Sequence, residues 1–301
     1  MLPYLDEARV RDLLRFEDLL PVMEQALIDL SAGRIAQPPR QMLPAPSPGG
    51  HFAAMPAAGA VGMGAKLVSI YPANAARALP THLALIVLFQ PETGEPLAVM
   101  DGRLITEMRT AAVSAVATRA LARSDARVLA VLGSGVQARS HVEALRLVRD
   151  LAEIRIWSRT PAHAERLAAE VAAVAVPSAE AAVTGADVVV TATSATTPVL
   201  HGTWLKPGAH VNAVGWAGPN GRELDDTAMR TSMVIADTRA GVLNESGDVL
   251  LSGATIHAEL GEILAGTKTV PADATTVFES VGMAVEDVAA ANLVYQKFRG
   301  A

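Results

Sequence analysis

Apolar residues recur at helical spacing near the start of the chain, at Val10, Leu13 and Leu14 and again at Met23, Leu27 and Leu30. The spacing predicts helix over residues 6–33, with Pro21 dividing the run and Gly33 as the C-terminal stop. Residues 37–50 hold five prolines and two glycines and read as extended chain or loop. Two runs rich in Val, Ile and Leu follow, at 63–69 and 83–89, and read as strands. Pro91-Glu-Thr-Gly-Glu95 reads as a hairpin turn into a further strand at 97–100. An Ala-rich helix is expected over 107–123. The first hundred or so residues are thus α+β with a largely antiparallel sheet.

The pattern changes at Ala126. Short apolar strands at 127–132, 154–157, 186–192, 210–214 and 233–236 alternate with helical stretches, among them one running to about residue 148 and one over 161–171. Such alternation means βαβ units and a parallel sheet. The tail, 280–298, is apolar and helical, with Val281, Val285, Val288, Ala289 and Leu293 on one stripe.

Composition limits the function classes. Half of the 301 residues are hydrophobic and 19% are charged, enough apolar material for a large core. Aromatics are only 4%, so that core is built from Ala, Val and Leu. With 25 Lys and Arg against 31 Asp and Glu the net charge is −6, the wrong sign for a polyanion, and nucleic acid is not an expected partner. Cysteine is absent, which excludes disulfides, thiolate metal sites and cysteine nucleophiles, and no metal is expected. The opening Met1-Leu-Pro-Tyr-Leu-Asp-Glu-Ala lacks an apolar signal-peptide core, and the densest apolar stretch, 83–89, is far short of the ~20 residues that span a bilayer. No membrane association and a cytoplasmic location are expected.

Gly133-Ser-Gly-Val-Gln-Ala138 follows a predicted strand and opens a predicted helix. In that context Gly133 permits a tight turn, Gly135 lets backbone approach a pyrophosphate, and Ala138 allows close helix–strand packing. Ser134, Val136 and Gln137 complete the phosphate-facing turn at the helix N-terminus. The next strand ends in Ser158-Arg159-Thr160, where a ribose 2′-hydroxyl would usually meet Asp or Glu. A hydroxyl beside a guanidinium suits a 2′-phosphate, so NADPH is the expected cofactor, with NADH the alternative. Arg159 also reads as an ordinary solvated arginine, and Thr160-Pro161 as a simple helix start. Thr191, Ala192, Thr193 and Val214, at two later strand ends, would flank the ribose and nicotinamide, or be plain strand-to-loop transitions.

These segments together resemble the ornithine cyclodeaminase/mu-crystallin family. The resemblance rests on Gly62-Met-Gly-Ala-Lys-Leu-Val-Ser69, on the run from Ala98 to Ala112 (AVMDGRLITEMRTAA), on Val131-Leu-Gly-Ser-Gly-Val-Gln-Ala138 and on Ile156-Trp-Ser-Arg-Thr160. Arg222-Glu-Leu-Asp-Asp226 and Ser280-Val-Gly-Met-Ala-Val-Glu-Asp287 complete it. It implies an α/β fold with a Rossmann dinucleotide-binding domain over 113–280. An α+β substrate-binding and dimerisation domain, 1–112 with 281–301, would make a homodimer. It also implies an enzyme acting on a small amino or imino acid, although family chemistries range over cyclodeamination, alanine dehydrogenation, opine-type synthesis and ketimine reduction, and mu-crystallin-like members bind a small hormone.

By the same resemblance, Arg40 and Arg109 bind the substrate carboxylate, Lys66 is the active-site lysine and Thr81 lies on the substrate side. Lys66 and Arg109 are the expected catalytic pair. A lysine inside an apolar strand is costly unless paired, which supports a special role for Lys66. His82 is a minor candidate proton donor. Trp216 reads equally as a substrate wall or as packing. One departure decides between chemistries: cyclodeaminases of the family carry an acid/base aspartate where alignment on Pro219 and Glu223 places Ala217. Glu223, Asp225 and Asp226 read as caps for the next helix. The pocket is therefore expected to hold two guanidiniums and an ammonium and no proton-shuttling carboxylate. That set suits reduction of a pre-formed cyclic C=N, as in Δ1-pyrroline-2-carboxylate or Δ1-piperideine-2-carboxylate, to L-proline or L-pipecolate. The alternatives are an ornithine cyclodeaminase or alanine dehydrogenase, and a small-ligand binding protein.

Overall fold

The computed structural model describes residues 1–47, 49–215 and 218–300. They form two compact units, Met1–Arg109 with Met283–Ala301, and Thr110–Gly282. Among the described residues no helix is long and apolar enough to cross a membrane.

The first unit opens with β1 (Tyr4–Leu5), α1 (Glu7–Leu13) and α2 (Phe16–Ser31). The strands β2 (Ile35–Ala36), β3 (Gln41–Pro44), β4 (His51–Gly59), β5 (Gly62–Ile70), β6 (His82–Phe89) and β7 (Pro96–Asp101) follow. Strands β4 to β7 form an antiparallel meander, and β1 joins its edge parallel to β7. The C-terminal helix (Ala284–Gly300) packs on β4, β5, β6 and α2. In β5, Gly64, Lys66, Val68 and Ile70 alternate onto the buried face. That period of two sets the direction of the Lys66 side chain.

One expectation fails here. The first helical run breaks at Leu14 and Arg15 rather than at Pro21. Asp6 caps α1, with Arg9 N donating to its Oδ1 at 2.8 Å, and Leu14 is extended at its end. Pro21 sits inside α2, where it leaves one carbonyl without its helical donor yet does not end the helix. The extended chain expected within residues 37–50 includes a paired strand: β3 runs antiparallel to β4, Leu43 opposite Phe52 and Pro44 opposite His51. An edge strand tolerates a proline because it has no second neighbour awaiting an N–H.

Helix α3 (Arg103–Leu121) carries the chain into the second unit. There, β8 (Val128–Leu132), α4 (Val136–Arg146), β9 (Glu153–Trp157), α5 (Pro161–Glu170), β10 (Val174–Ala175), α6 (Ala179–Val183) and β11 (Val188–Thr191) come first. They are followed by β12 (His210–Ala213), α7 (Asp226–Thr231), β13 (Met233–Ala236), α8 (Arg239–Glu245), α9 (Gly247–Ser252), β14 (Ile256–Glu259), α10 (Leu260–Leu264) and β15 (Thr276–Glu279). The strand order is β10-β9-β8-β11-β12-β15-β13-β14, with every pair parallel. Strands β11, β12 and β15 are buried at every residue, as a sheet covered on both faces requires. The order reverses between β8 and β11, so the crevice beyond their carboxyl ends is the place where a doubly wound sheet binds its ligand.

Candidate active site

In the second unit the glycine turn stands at that crevice. Gly133 has φ +133°, and a Cβ there would lie 2.4 Å from Ala192 O, so the position excludes any side chain. Gly135 is the N-cap of α4; it has no side-chain cap bond, and nothing lies within 4 Å of where its Cβ would be. The first N–H groups of α4, from Val136 and Gln137, lack helical acceptors by construction, and the open space over Gly135 gives an anion access to them. Ala138 is fully buried against the sheet. The turn thus fits a pyrophosphate on grounds of shape and donor supply.

Ser134 and Ser158 face each other, Oγ to Oγ at 2.9 Å. Arg159 and Thr160 beside them are exposed, and Thr160 is the N-cap of α5, with Pro161 at its first position. Thr191 ends β11, and Ala192 N donates to Leu132 O at 2.8 Å, tying this strand end to the glycine turn. Val214 N bonds Thr191 O at 3.0 Å. All the expected dinucleotide residues therefore sit on the carboxyl ends of β8, β9, β11 and β12. Trp216 and Ala217, the positions read as a substrate wall and as the missing aspartate, lie outside the described residues.

One carboxylate at these strand ends was misread. Asp225 is the expected cap, accepting from Ala228 N at 2.8 Å, and Asp226 opens α7. Glu223 caps nothing. It is 1% exposed, and its two oxygens accept from Thr193 N at 2.7 Å and Gly215 N at 2.9 Å. Burial pushes its carboxyl up to about 7, against the pull of the bonds from Thr193 and Thr191 and helped by the neighbouring Asp248 charge.

The first unit holds a cluster of ions in its interior. Lys66 Nζ, 3% exposed, lies 2.6 Å from Asp287 Oδ2 in the first turn of the C-terminal helix. Arg109, from α3, donates through Nε to Asp287 Oδ1 at 3.1 Å and through Nη1 to Glu286. Lys66 also reaches Thr106 Oγ1 at 3.5 Å. Burial pulls the Lys66 ammonium down to about 8; Asp287 opposes that shift, and Arg109 and Arg40 add to it. Arg40, just ahead of β3, also holds the His82 imidazole below its usual range, after desolvation and Lys66. Thr81 Oγ1 lies 3.1 Å from His82 Nδ1. Burial likewise holds Glu286 above the usual carboxylate range, despite the attraction of Arg109. The helix N-terminus is itself a favourable place for these two acids.

The expected cations Lys66, Arg109 and Arg40 are thus neighbours, with Thr81 and His82 alongside. The cluster also holds two carboxylates that the sequence reading did not place there: Asp287 is pressed against both Lys66 and Arg109, and Glu286 against Arg109. The sequence carried a signal for this. A lysine in an apolar strand and an acid pair in an apolar helix each need a buried counter-ion, and they satisfy each other.

A glycine turn at the reversal point of an all-parallel sheet defines a Rossmann-type dinucleotide-binding fold. The chain belongs to the ornithine cyclodeaminase/mu-crystallin family, whose description matches residues 4–301. It is 48% identical over 303 residues to the ketimine reductase mu-crystallin of Mus musculus, covering 98% of this chain and 97% of the mouse protein. Its fold is similar to that of Thermococcus litoralis Δ1-pyrroline-2-carboxylate reductase in complex with NADH and L-proline, with a TM-score of 0.95, 36% identity, and coverage of 100% and 98% of the two chains. An archaeal alanine dehydrogenase dimer with bound NAD gives a TM-score of 0.94 at 32% identity, with 99% and 96% covered.

Proposed function

We propose that this chain reduces a cyclic α-imino acid, Δ1-pyrroline-2-carboxylate or Δ1-piperideine-2-carboxylate, to L-proline or L-pipecolate, with NADPH as reductant. The observation that carries this reading is the buried Lys66–Asp287 pair beside Arg109. Lys66, Arg109 and Arg40 bring an ammonium and two guanidiniums together, the donor set that suits a substrate carboxylate. A guanidinium holds such a group in two directions at once, which fixes the ring orientation. Orientation of this kind can remove several kcal/mol from a barrier.

The bound dinucleotide supplies the hydride that reduces the imine carbon. The remaining work falls to the chain. Lys66, whose ammonium burial pulls down to about 8, transfers a proton to the ring nitrogen: as the carbon gains its new C–H bond the π pair moves onto nitrogen, and of the two pairs then there one takes the proton as N–H and the other remains the amine lone pair. Asp287 holds Nζ in place and favours the return of its proton. Ser158 and Arg159, with no acid at this strand end, support NADPH over NADH. The ketimine reductase and pyrroline-carboxylate reductase among the similar proteins support the same chemistry.

The presence of Asp287 weakens the case against cyclodeamination, so the test includes it. Purified protein is assayed for NADPH and NADH oxidation with each imino acid and with pyruvate plus ammonia, and for ammonia release from ornithine with NAD(P)+. Imine reduction with NADPH is expected to be the fastest reaction. Ammonia release from ornithine at a comparable rate would overturn the assignment.

We further propose that the enzyme is a homodimer joined through the first unit. The outward face of its sheet presents Leu43, Phe52, Leu67, Leu83 and Leu85, between 36% and 59% exposed. They lie in cross-strand rows, Leu43 beside Phe52 and Leu67 beside Leu85. So continuous an apolar face is what a subunit contact requires.

A further inference from the structure

We propose that Glu223 is a positioning residue for the cofactor, whose ionised carboxylate clamps the ends of β11 and β12 into the form that receives the nicotinamide half. The inference rests on the dinucleotide reading of the crevice given above. Its basis is geometric. The carboxylate spans two loops, one oxygen on Thr193 N just after β11 and the other on Gly215 N just after β12. Gly215 has no room for a side chain, since a Cβ would lie 2.2 Å from Glu223 Oε2.

The clamp is itself anchored from behind. Glu223 N and Leu224 N donate to Asp248 Oδ1 at 3.0 and 2.7 Å, and Val199 N and Leu200 N donate to Glu223 O at 2.7 and 3.0 Å. A side chain so held cannot drift to follow its loops; the loops must come to it. Val214 N and Gly215 N also bond Thr191 O at 3.0 and 3.1 Å, and Glu223 adds one ionisable group that braces both strand ends flanking the crevice. The ionised form holds both N–H groups with charge-assisted bonds; protonation removes that charge and turns one oxygen into a donor, which weakens the clamp. The titratable groups facing Glu223 are Asp248 of α9 and Glu279 at the end of β15, both acids that burial raises, and each discourages its ionisation. Dinucleotide affinity should therefore fall as the pH drops through about 7.

The test is calorimetric titration of wild type and Glu223→Gln with NADPH between about pH 5.5 and 8.5. Gln keeps the shape but offers one acceptor and turns an NH2 towards the second donor. The expected result is a Kd raised about tenfold at pH 8, the scale of one lost charge-assisted bond. The wild-type affinity loss below pH 7 should vanish in the variant, while the KM for the imino acid is unchanged. A merely structural role would lower the melting temperature and leave both Kd and its pH profile alone. Equal Kd values at pH 8, or profiles that stay parallel through pH 7, overturn this inference alone; a wild type that binds no dinucleotide overturns the cofactor reading as well. Should the variant not fold, the wild-type profile decides: rising Kd on acidification supports the clamp, and a flat profile overturns it.

Discussion

Lys66 is surrounded by reasons to lose its proton, through burial, Arg109 and Arg40, and by one carboxylate that keeps the proton on. The balance puts it near neutrality, where a general acid is most useful. Replacing Lys66 with Met should lower kcat on the order of a hundredfold or more, while NADPH binds as before, because the dinucleotide residues lie in the other unit. In wild type, kcat should fall as the pH rises through about 8, because deprotonated Lys66 has nothing to give. Steady-state rates across pH check both; normal turnover by the variant removes Lys66 from the chemistry. At this scale the sequence was a good guide to cations and a poor one to acids. Lys66 and Arg109 stood out because charge in an apolar run demands explanation. Glu286 and Asp287 did not, because acids at a helix start already have one in the helix dipole. Glu223 reads as a cap on the same ground, yet Asp225, two residues on, does the capping.

Among the elements, the glycine turn between β8 and α4 has the least freedom. Its first residue combines a left-handed φ with a backbone oxygen where a Cβ would sit. Gly133→Ala should abolish dinucleotide binding and destabilise the fold by several kcal/mol, since the clash is with backbone. Calorimetry and thermal melting test this, and a variant that binds NADPH normally would show the turn to be no part of the site. The turn was legible because its residues are adjacent in sequence and its spacing has a mechanical reason. Strands β5, β6 and β8 were legible too, through their Val, Ile and Leu content. The missed elements were short or atypical. Strands β1, β2 and β10 have two residues each, too few to show a period. Strand β4 is built largely of Ala with Pro56 in its middle, a weak β signal. Strand β15 enters the sheet between β12 and β13, a placement set by distant partners rather than by its own sequence.

For the whole molecule, the proposed subunit contact is the outward apolar face of the first sheet. A Leu67→Lys, Leu85→Lys double variant puts charge into two directly paired positions. It should run as a monomer in sedimentation velocity where wild type runs as a dimer. A monomeric wild type, or a variant of unchanged mass, would rule out this surface as the contact.

The cation cluster is closed by the last helix of the chain, although its lysine is made early. Arg109 and its partner Asp287 are 178 residues apart, with the entire nucleotide fold encoded between them. Chains emerge from the ribosome N-terminus first and fold largely in that order. A nascent or prematurely terminated polypeptide can thus complete its parallel sheet and still be chemically mute, its ammonium stranded against apolar strands without a counter-ion. The buried lysine therefore gains its counter-ion only once the helix that follows the nucleotide fold has been made.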